Sequence, residues 1–425
     1  MSRLPLEGYR FIDMTEVWAG PMGTSFLGDL GAEIVRVESY PRDGRGGGAQ
    51  GPQAAASANL PRAWDRNSTY HMANRNKLGI ALNVMEPQGR EVFHRLLSVS
   101  DAFIIGFSSG TVSRMGFDYE TLVQHKPDLI MLSMPAWGER GPYQGYVTWG
   151  SGPDAWTGHH SLRGYPDLDP SATQGIFHAD AIVAATMPFA IMSALHYRDR
   201  TGKGQFIDFS MAELIMDHLA RPGMDWVMNN RVATPMGNVD PDCAPNGCYP
   251  CAGHDSWVAI VVRTDAQWLG LKEALGNPAW AEDPRYESLL GRLRARDEID
   301  SHLREWTQQR LAAAVVGALQ EYGVAAGAVL PAHETIDDPQ LTARGFYRWV
   351  THPLMEPYRR PGPLWNMTET PPQLRRHTNL LGEHNHEVVC DLLGFSESEY
   401  QGLVEADVIG TEPRPEGRMD AQDRA

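Results

Sequence analysis

Arg10-Phe-Ile-Asp-Met14, Gly20-Pro-Met-Gly-Thr-Ser-Phe-Leu-Gly-Asp-Leu30 and Ala32-Glu-Ile-Val-Arg-Val-Glu38 follow one another near the start of the chain. The first and third runs are short and rich in β-branched or aromatic residues, and the run between them reads as a helix. The stretch therefore predicts a strand, a helix and a second strand. Similar alternation continues to about Leu219, which predicts an α/β domain on a mainly parallel sheet.

Outward from this unit, Pro87–Ser98 carries Val92, Phe93, Leu96 and Leu97 at helical spacing and feeds a strand at Ala102–Phe107. A short helix at Tyr119–His125 precedes a strand at Leu129–Ser133. A Gly-, Pro- and Trp-rich loop runs from Pro135 to Phe177. The Ala-rich helix Asp180–Arg198 is ended by Thr201-Gly-Lys-Gly204 and followed by a strand at Gln205–Phe209. Pro222–Pro250 reads as a linker into a second unit, which holds a strand at Trp257–Val262 and helices at Ala266–Leu275, Leu293–Thr307 and Ala312–Tyr322. From Ala332 the chain is loop-rich and closes with a helix at Asn385–Leu393. The expected domains are 1–221, 222–335, and 336–425 returning to the first. No repeat of about 20–50 residues is visible.

The chain has 425 residues, 42% hydrophobic and 21% charged, which excludes disorder, collagen and coiled coil. A net charge of −16 opposes nucleic acid and anionic membranes as partners. Ala179–Leu195 is interrupted by Asp180 and is not expected to cross a membrane. Four cysteines make no disulfide framework, and the N-terminus has no apolar secretory segment, so a cytoplasmic protein is expected. Only Lys77, Lys126, Lys203 and Lys272 are lysines. Arg carries the remaining positive charge, which suits bidentate phosphate or carboxylate contacts.

Several patterns admit two readings. Cys243, Cys248, Cys251 and His254 have spacing that can hold zinc or an iron–sulfur cluster. Without a second Cys pair, and with Pro250 between the close pair, small buried thiols are the preferred reading and no metal is expected. His377, His384 and His386 read as surface, helix-capping histidines. Gly44, Gly46, Gly47 and Gly48 follow a strand and could cradle a phosphate, but no Gly-x-Gly-x-x-Gly opens a helix and no Gly-Lys-Ser/Thr follows, so NAD and ATP are unsupported. Asp180 at a helix start reads either as an N-cap or as a carboxylate nucleophile at the ligand-binding edge of a sheet.

Ordered motifs now cover nearly the whole chain: Leu6-Glu-Gly-Tyr-Arg-Phe-Ile-Asp-Met-Thr15, Ala19-Gly-Pro21, Leu30–Glu38, Asn74-Arg-Asn-Lys77, Gly106-Phe107 with Arg114-Met-Gly-Phe117, Gly138-Glu-Arg-Gly-Pro142, Tyr197–Gln205, Asp338-Pro-Gln-Leu341 with Arg344-Gly-Phe346, and Leu381-Gly-Glu-His384. In this order they resemble the class III CoA-transferases, the family of formyl-CoA:oxalate and carnitine CoA-transferases and α-methylacyl-CoA racemases. The resemblance implies a Rossmann-like large domain built from both chain ends, a smaller central α+β domain, and two interlocked subunits. It places the family's nucleophilic aspartate on Asp180. The family's nucleotide contacts fall on Trp18, Ala19, Leu82, Met85, Gly106, Phe107, Ser108, Arg114, Pro135, Ala136, Trp137 and Gly138. Met85 stands where many members have Lys and Gly106 where many have Asn, so Arg42 or Arg45 is expected to supply the missing charge.

For such an enzyme CoA is substrate and no cofactor is tightly bound. The expected chemistry is attack of a carboxylate on an acyl-CoA, giving a mixed anhydride and then an aspartyl-CoA thioester. An Asp near its reference pKa of about 3.9 is ionised about a thousand to one at pH 7. Trp137, Trp149 and Trp156 would wall the site, and Gly138, Gly150 and Gly152 either let backbone N–H groups approach an oxyanion or are ordinary loop glycines. One rival is a 2-methylacyl-CoA racemase, whose family members carry a Gly-His-Asp where this chain reads Tyr146-Val-Thr-Trp-Gly150, with His159 and His160 shifted along. Another is a non-catalytic partner in a heteromer with a homologous subunit. The segment His160–Pro170 resembles a subgroup that includes benzylsuccinate CoA-transferase subunits. There Arg163 either pairs with a second carboxylate of a bulky or succinyl-type acid or is a surface residue.

Overall fold

Strand β1 (Arg10–Met14) sits at the centre of a six-stranded sheet with β2 (Glu33–Ser39), β3 (Lys77–Leu82), β4 (Ala102–Ile105), β5 (Ile130–Ser133) and β6 (Gln205–Asp208). The order is β3-β2-β1-β4-β5-β6 and every pairing is parallel. The computed structural model describes residues 3–41, 60–172 and 177–413. Strand order reverses between β1 and β4, and in open α/β sheets the crevice at the carboxyl ends of such strands is where ligands bind.

Helices α1 (Ala19–Asp29), α2 (Pro87–Ser98), α3 (Ser109–Met115), α4 (Tyr119–His125), α5 (Ser151–Trp156), α6 (His178–Thr201), α7 (Met211–His218) and α8 (Ala220–Asn229) belong to the same unit. Strands β1 to β5 are largely buried on both faces, as expected of a parallel sheet covered by helices. Phe11, Ile34 and Ile104 pack with Leu27 of α1 and Val183, Met187 and Ile191 of α6. Ile12, Val35 and Phe103 face the other way, onto Val92, Phe93 and Leu96 of α2 and onto Val388, Val408 and Ile409 from the chain's end. Each fully buried apolar side chain of this size stabilises the fold by about 1.5–3 kcal/mol. By length and composition α6 could cross a membrane. Here half of it is buried in the fold, and its Arg198 bonds Asp101 at 2.7 Å.

The motif Asn74-Arg-Asn-Lys77 ties these layers together. Lys77 Nζ donates to Asp13 at 2.8 Å, to the Pro21 carbonyl at 2.8 Å and to Asn74 at 2.9 Å. Asp13 also accepts from Thr15 and Thr24 and pairs with Arg36 at 3.5 Å. Burial opposes the charge on Asp13, but Lys77 and Arg36 overcome it and hold the carboxyl well below the usual carboxylate range. Arg75 makes a bidentate pair with Asp29, and Asn76 Oδ1 accepts the backbone N–H groups of Arg375 and Arg376. The knot therefore joins β1, the loop that follows it, α1 and the returning C-terminal segment.

The first unit draws on the described residues of 1–159, 175–229 and 346–425, and the second on those of 160–174 and 230–345. The second has an antiparallel sheet of β7 (Asn246–Pro250), β8 (Trp257–Val261) and β9 (Ala325–Val329) in that order. Val258, Ile260, Trp268, Leu303 and Leu319 fill its core. A hairpin of β10 (Tyr347–His352) and β11 (Met355–Pro361) lies in the first unit.

The sequence reading departs from this structure at several points. It omits β3, β7, β9 and the hairpin. The expected linker contains α8 and β7, and the expected helix Leu293–Thr307 is two helices meeting at Ala295. The expected closing helix is a π-helix at Glu387–Leu392.

Candidate active site

The loops after β1, β4 and β5 converge at the carboxyl edge of the sheet. Trp18 and Ala19 end the first, Gly106, Phe107 and Ser108 make the second, and Pro135–Gly138 follow β5. Gly106 N donates to the Met14 carbonyl at 3.3 Å, and a Cβ there would lie 3.4 Å from Thr15, so the first two loops are in contact. Ala212 N donates to Ala136 O at 3.0 Å, and Asp208 Oδ1 accepts the Glu139 N–H, which fixes the third loop against α7 and β6. The sheet thus gathers these expected nucleotide contacts on one edge. Arg114 lies on α3, exposed, with its guanidinium 3.1 Å from Thr111 Oγ1. Leu82 and Met85 are at the end of the edge strand β3, Leu82 buried and Met85 exposed. Arg42, Arg45 and the glycines Gly44, Gly46, Gly47 and Gly48 lie outside the described residues.

Asp180 is not the N-cap of its helix. Helix α6 begins at His178, and the cap position is Phe177, in the left-handed region with φ 47°. Asp180 is the third helical residue, and its carboxylate accepts a hydrogen bond from the Ala19 backbone N–H. A Cβ built on Gly150 would fall 2.0 Å from Asp180 Oδ2 and 3.3 Å from the Phe177 ring. The Phe177 and Trp18 rings meet edge to face with centroids 6.0 Å apart. Burial is the largest influence on the Asp180 carboxyl and pushes it up to about 6. The Ala19 hydrogen bond works the other way, and the charge of Asp154 adds to the rise. The expectation of a reference carboxyl is corrected: at pH 7 the group is ionised about ten to one.

The loop expected between Pro135 and Phe177 carries α5 and a cluster of rings. Trp137 and Trp156 are 5.0 Å apart, Tyr143 meets Trp156 at 5.9 Å and Tyr146 meets Tyr143 at 4.9 Å. The Trp137 indole N–H is buried and has no hydrogen-bond partner among the described residues. Of the three glycines expected near an oxyanion, Gly150 borders Asp180, whereas a Cβ on Gly138 would meet Asp208 and one on Gly152 would meet Thr148. His159 stacks on His178 at 4.5 Å and lies 3.8 Å from Asp154, and Arg163, in the second unit, is 3.1 Å from His160 Nδ1. Sequence reasoning missed Asp154, which carries no motif of its own.

Cys243 and Cys251 are buried and Cys248 is half-buried. Among the described residues the three-ligand group within 4.8 Å is instead His386, Cys390 and Glu397 at the surface. His384 Nδ1 accepts from Gly79 N at 3.1 Å, and His386 bonds Glu397 at 2.9 Å.

CoA-transferase family III matches residues 6–385. A probable CoA-transferase of Mycobacterium tuberculosis is 29% identical across 95% of this chain, which spans about half (50%) of that protein's length. A succinate–glutarate CoA-transferase of Agrobacterium fabrum is 31% identical over 398 residues, 91% of this chain and 96% of its own. The crystal structure of a CAIB/BAIF family protein from Brucella suis superposes with a TM-score of 0.80 at 28% identity, covering 92% of this chain and all (100%) of that one. From the extent of these matches, the chain belongs to CoA-transferase family III, and relatives across its length are named CoA-transferases.

Proposed function

We propose that this chain transfers CoA between acids by covalent relay on Asp180, with succinyl-CoA as donor and a dicarboxylic or bulky acid as acceptor. The observation that carries the reading is Asp180 at the carboxyl edge of the sheet, held by the Ala19 N–H and closed over by Gly150. An Asp180 oxygen attacks the thioester carbonyl, the C–S bond breaks, and CoA thiolate leaves an acyl-aspartyl anhydride. The thiolate then attacks the Asp180 carbonyl carbon, the donor carboxylate departs, and an aspartyl-CoA thioester remains. The acceptor carboxylate runs the two steps in reverse and regenerates Asp180. The Ala19 N–H is suited to the oxyanion that forms on the aspartyl carbonyl, and such donors contribute about 2.7–4 kcal/mol.

CoA lies across the loops after β1, β4 and β5 in this reading, with Arg114 on a phosphate. The relay asks for no resident cofactor. The working form is a cytoplasmic, interlocked homodimer with domains close to 1–221, 222–335 and 336–425. The succinate–glutarate relative supports the dicarboxylic class.

Mass spectrometry of CoA exchange, with succinyl-CoA and a panel of mono- and dicarboxylic acids, tests the substrates. Asp180→Ala should abolish exchange, and hydroxylamine should trap wild-type Asp180 as an adduct in a peptide map. Full exchange by the Ala variant would end the covalent reading. Racemisation asks for a His facing Asp180, and His159 meets Asp154 instead. Loss of the α-proton of a 2-methylacyl-CoA in D2O would revive it.

A further inference from the structure

Asp154 is a buried residue of α5, and its two oxygens accept the first backbone N–H groups of α6, from His178 at 3.0 Å and Ala179 at 3.1 Å. A helix start leaves such donors without internal partners, and a side chain at the cap position commonly takes them. Here the cap residue is Phe177, which has no acceptor. A carboxylate from another element therefore does the capping, and the next residue after the two capped N–H groups is Asp180.

We propose that Asp154 is a positioning residue for Asp180: by holding the first turn of α6 from outside the helix, it fixes where the Asp180 carboxylate points. The proposal rests on the reading of Asp180 as the nucleophile. Two further observations support it. Phe177 is held in the left-handed region, sparsely populated for a non-glycine residue, so this turn takes its shape from its surroundings. In addition, a neutral acceptor would suffice for a cap, whereas the charge on Asp154 opposes ionisation of Asp180 and leaves it a more basic, stronger nucleophile.

The titratable groups around the pair come from several elements. His159 lies 3.8 Å from Asp154 and stacks on His178 of α6, and His178 meets His218 of α7 edge-on at 5.6 Å. Helix α7 also carries Glu213 and Asp217. On α1 the charged residue is Asp29, engaged by Arg75.

The test compares Asp154→Asn and Asp154→Ser with wild type in CoA exchange across pH 4–9, alongside melting curves and hydroxylamine trapping. Misaiming the nucleophile should lower kcat roughly ten- to a hundred-fold while KM for the acyl-CoA stays within about two-fold. Removing the negative charge should also move the acid limb of kcat to lower pH. Trapping should still label Asp180, more slowly. Wild-type kcat and acid limb in both variants would overturn the proposal. So would a lowered melting temperature with the acid limb unmoved, since that is the mark of a cap alone. Activity in Asp180→Ala would instead remove the underlying reading, which separates the two failures.

Discussion

Gly150 and Asp180 are packed so closely that a methyl group on Gly150 would lie 2.0 Å from Asp180 Oδ2. The Gly150 backbone is in the ordinary right-handed helical region, φ −49° and ψ −31°, so alanine is acceptable there to the main chain. Gly150→Ala therefore tests the contact and not the backbone. Asp180 must turn away, and misplacement by about 1 Å can cost on the order of a hundred-fold in kcat. We expect that loss with a melting temperature near wild type. Wild-type kcat would show that Asp180 works from another rotamer.

The buried knot beneath the same loop should reveal itself in stability. Among the described residues, Lys77→Met leaves Asp13 in the core with Arg36, at 3.5 Å, as its remaining ion-pair partner. Breaking a buried ion pair on one side costs about 3–5 kcal/mol. Urea unfolding should report that loss, and a change below about 1 kcal/mol would mean that Arg36 and the threonines satisfy Asp13 alone.

Much of this arrangement is legible in the sequence because strands β1 to β5 are largely buried on both faces. Arg10–Met14, Tyr119–His125 and Pro87–Ser98 fall on their observed elements, and the spacing of Val92, Phe93, Leu96 and Leu97 marks the last of them. Strand β3 escapes because Lys77 opens it and Gly79 interrupts it, yet both are required by tertiary contacts. Lys77 meets Asp13, and a Cβ on Gly79 would strike Asn379 at 1.8 Å. The hairpin β10–β11 carries exposed arginines and a tryptophan with little alternation. At the site, Asp180 could be found by resemblance, but its partner Asp154 could not. The tie is made by two backbone donors 24 and 25 residues along the chain from Asp154, and backbone donors leave no trace in side-chain pattern.

Arg114 is exposed, and among the described residues its hydrogen bond is to the neutral Thr111 hydroxyl, which suits its charge to a phosphate. A charge-assisted contact of that kind contributes about 1.5–3 kcal/mol. Arg114→Ala should weaken CoA binding roughly ten- to a hundred-fold in calorimetry, reduce its salt sensitivity and leave the acceptor acid's KM little changed. Unchanged CoA affinity would move the phosphate contact to another residue.

The raised Asp180 carboxyl also has a stability consequence whose sign can be worked out. In the unfolded chain the group titrates near 3.8, and in the folded protein near 6. Between those values the folded state keeps a proton that the unfolded state releases, so stability falls as pH rises through the window. Above it, the native state carries the full cost of an ionised, mostly buried carboxylate, about 1–3 kcal/mol after allowing for its partial exposure. Asp180→Asn removes the titration and keeps the shape. The variant should therefore be more stable than wild type at pH 8 by that amount, with the difference gone by about pH 4, while CoA exchange is lost. Wild-type exchange should correspondingly rise with pH through about 6, because only the ionised carboxyl attacks. Equal unfolding free energies for the two proteins at pH 8 would show that Asp180 titrates as a solvent-exposed acid, and the acid limb of exchange would then fall near pH 4.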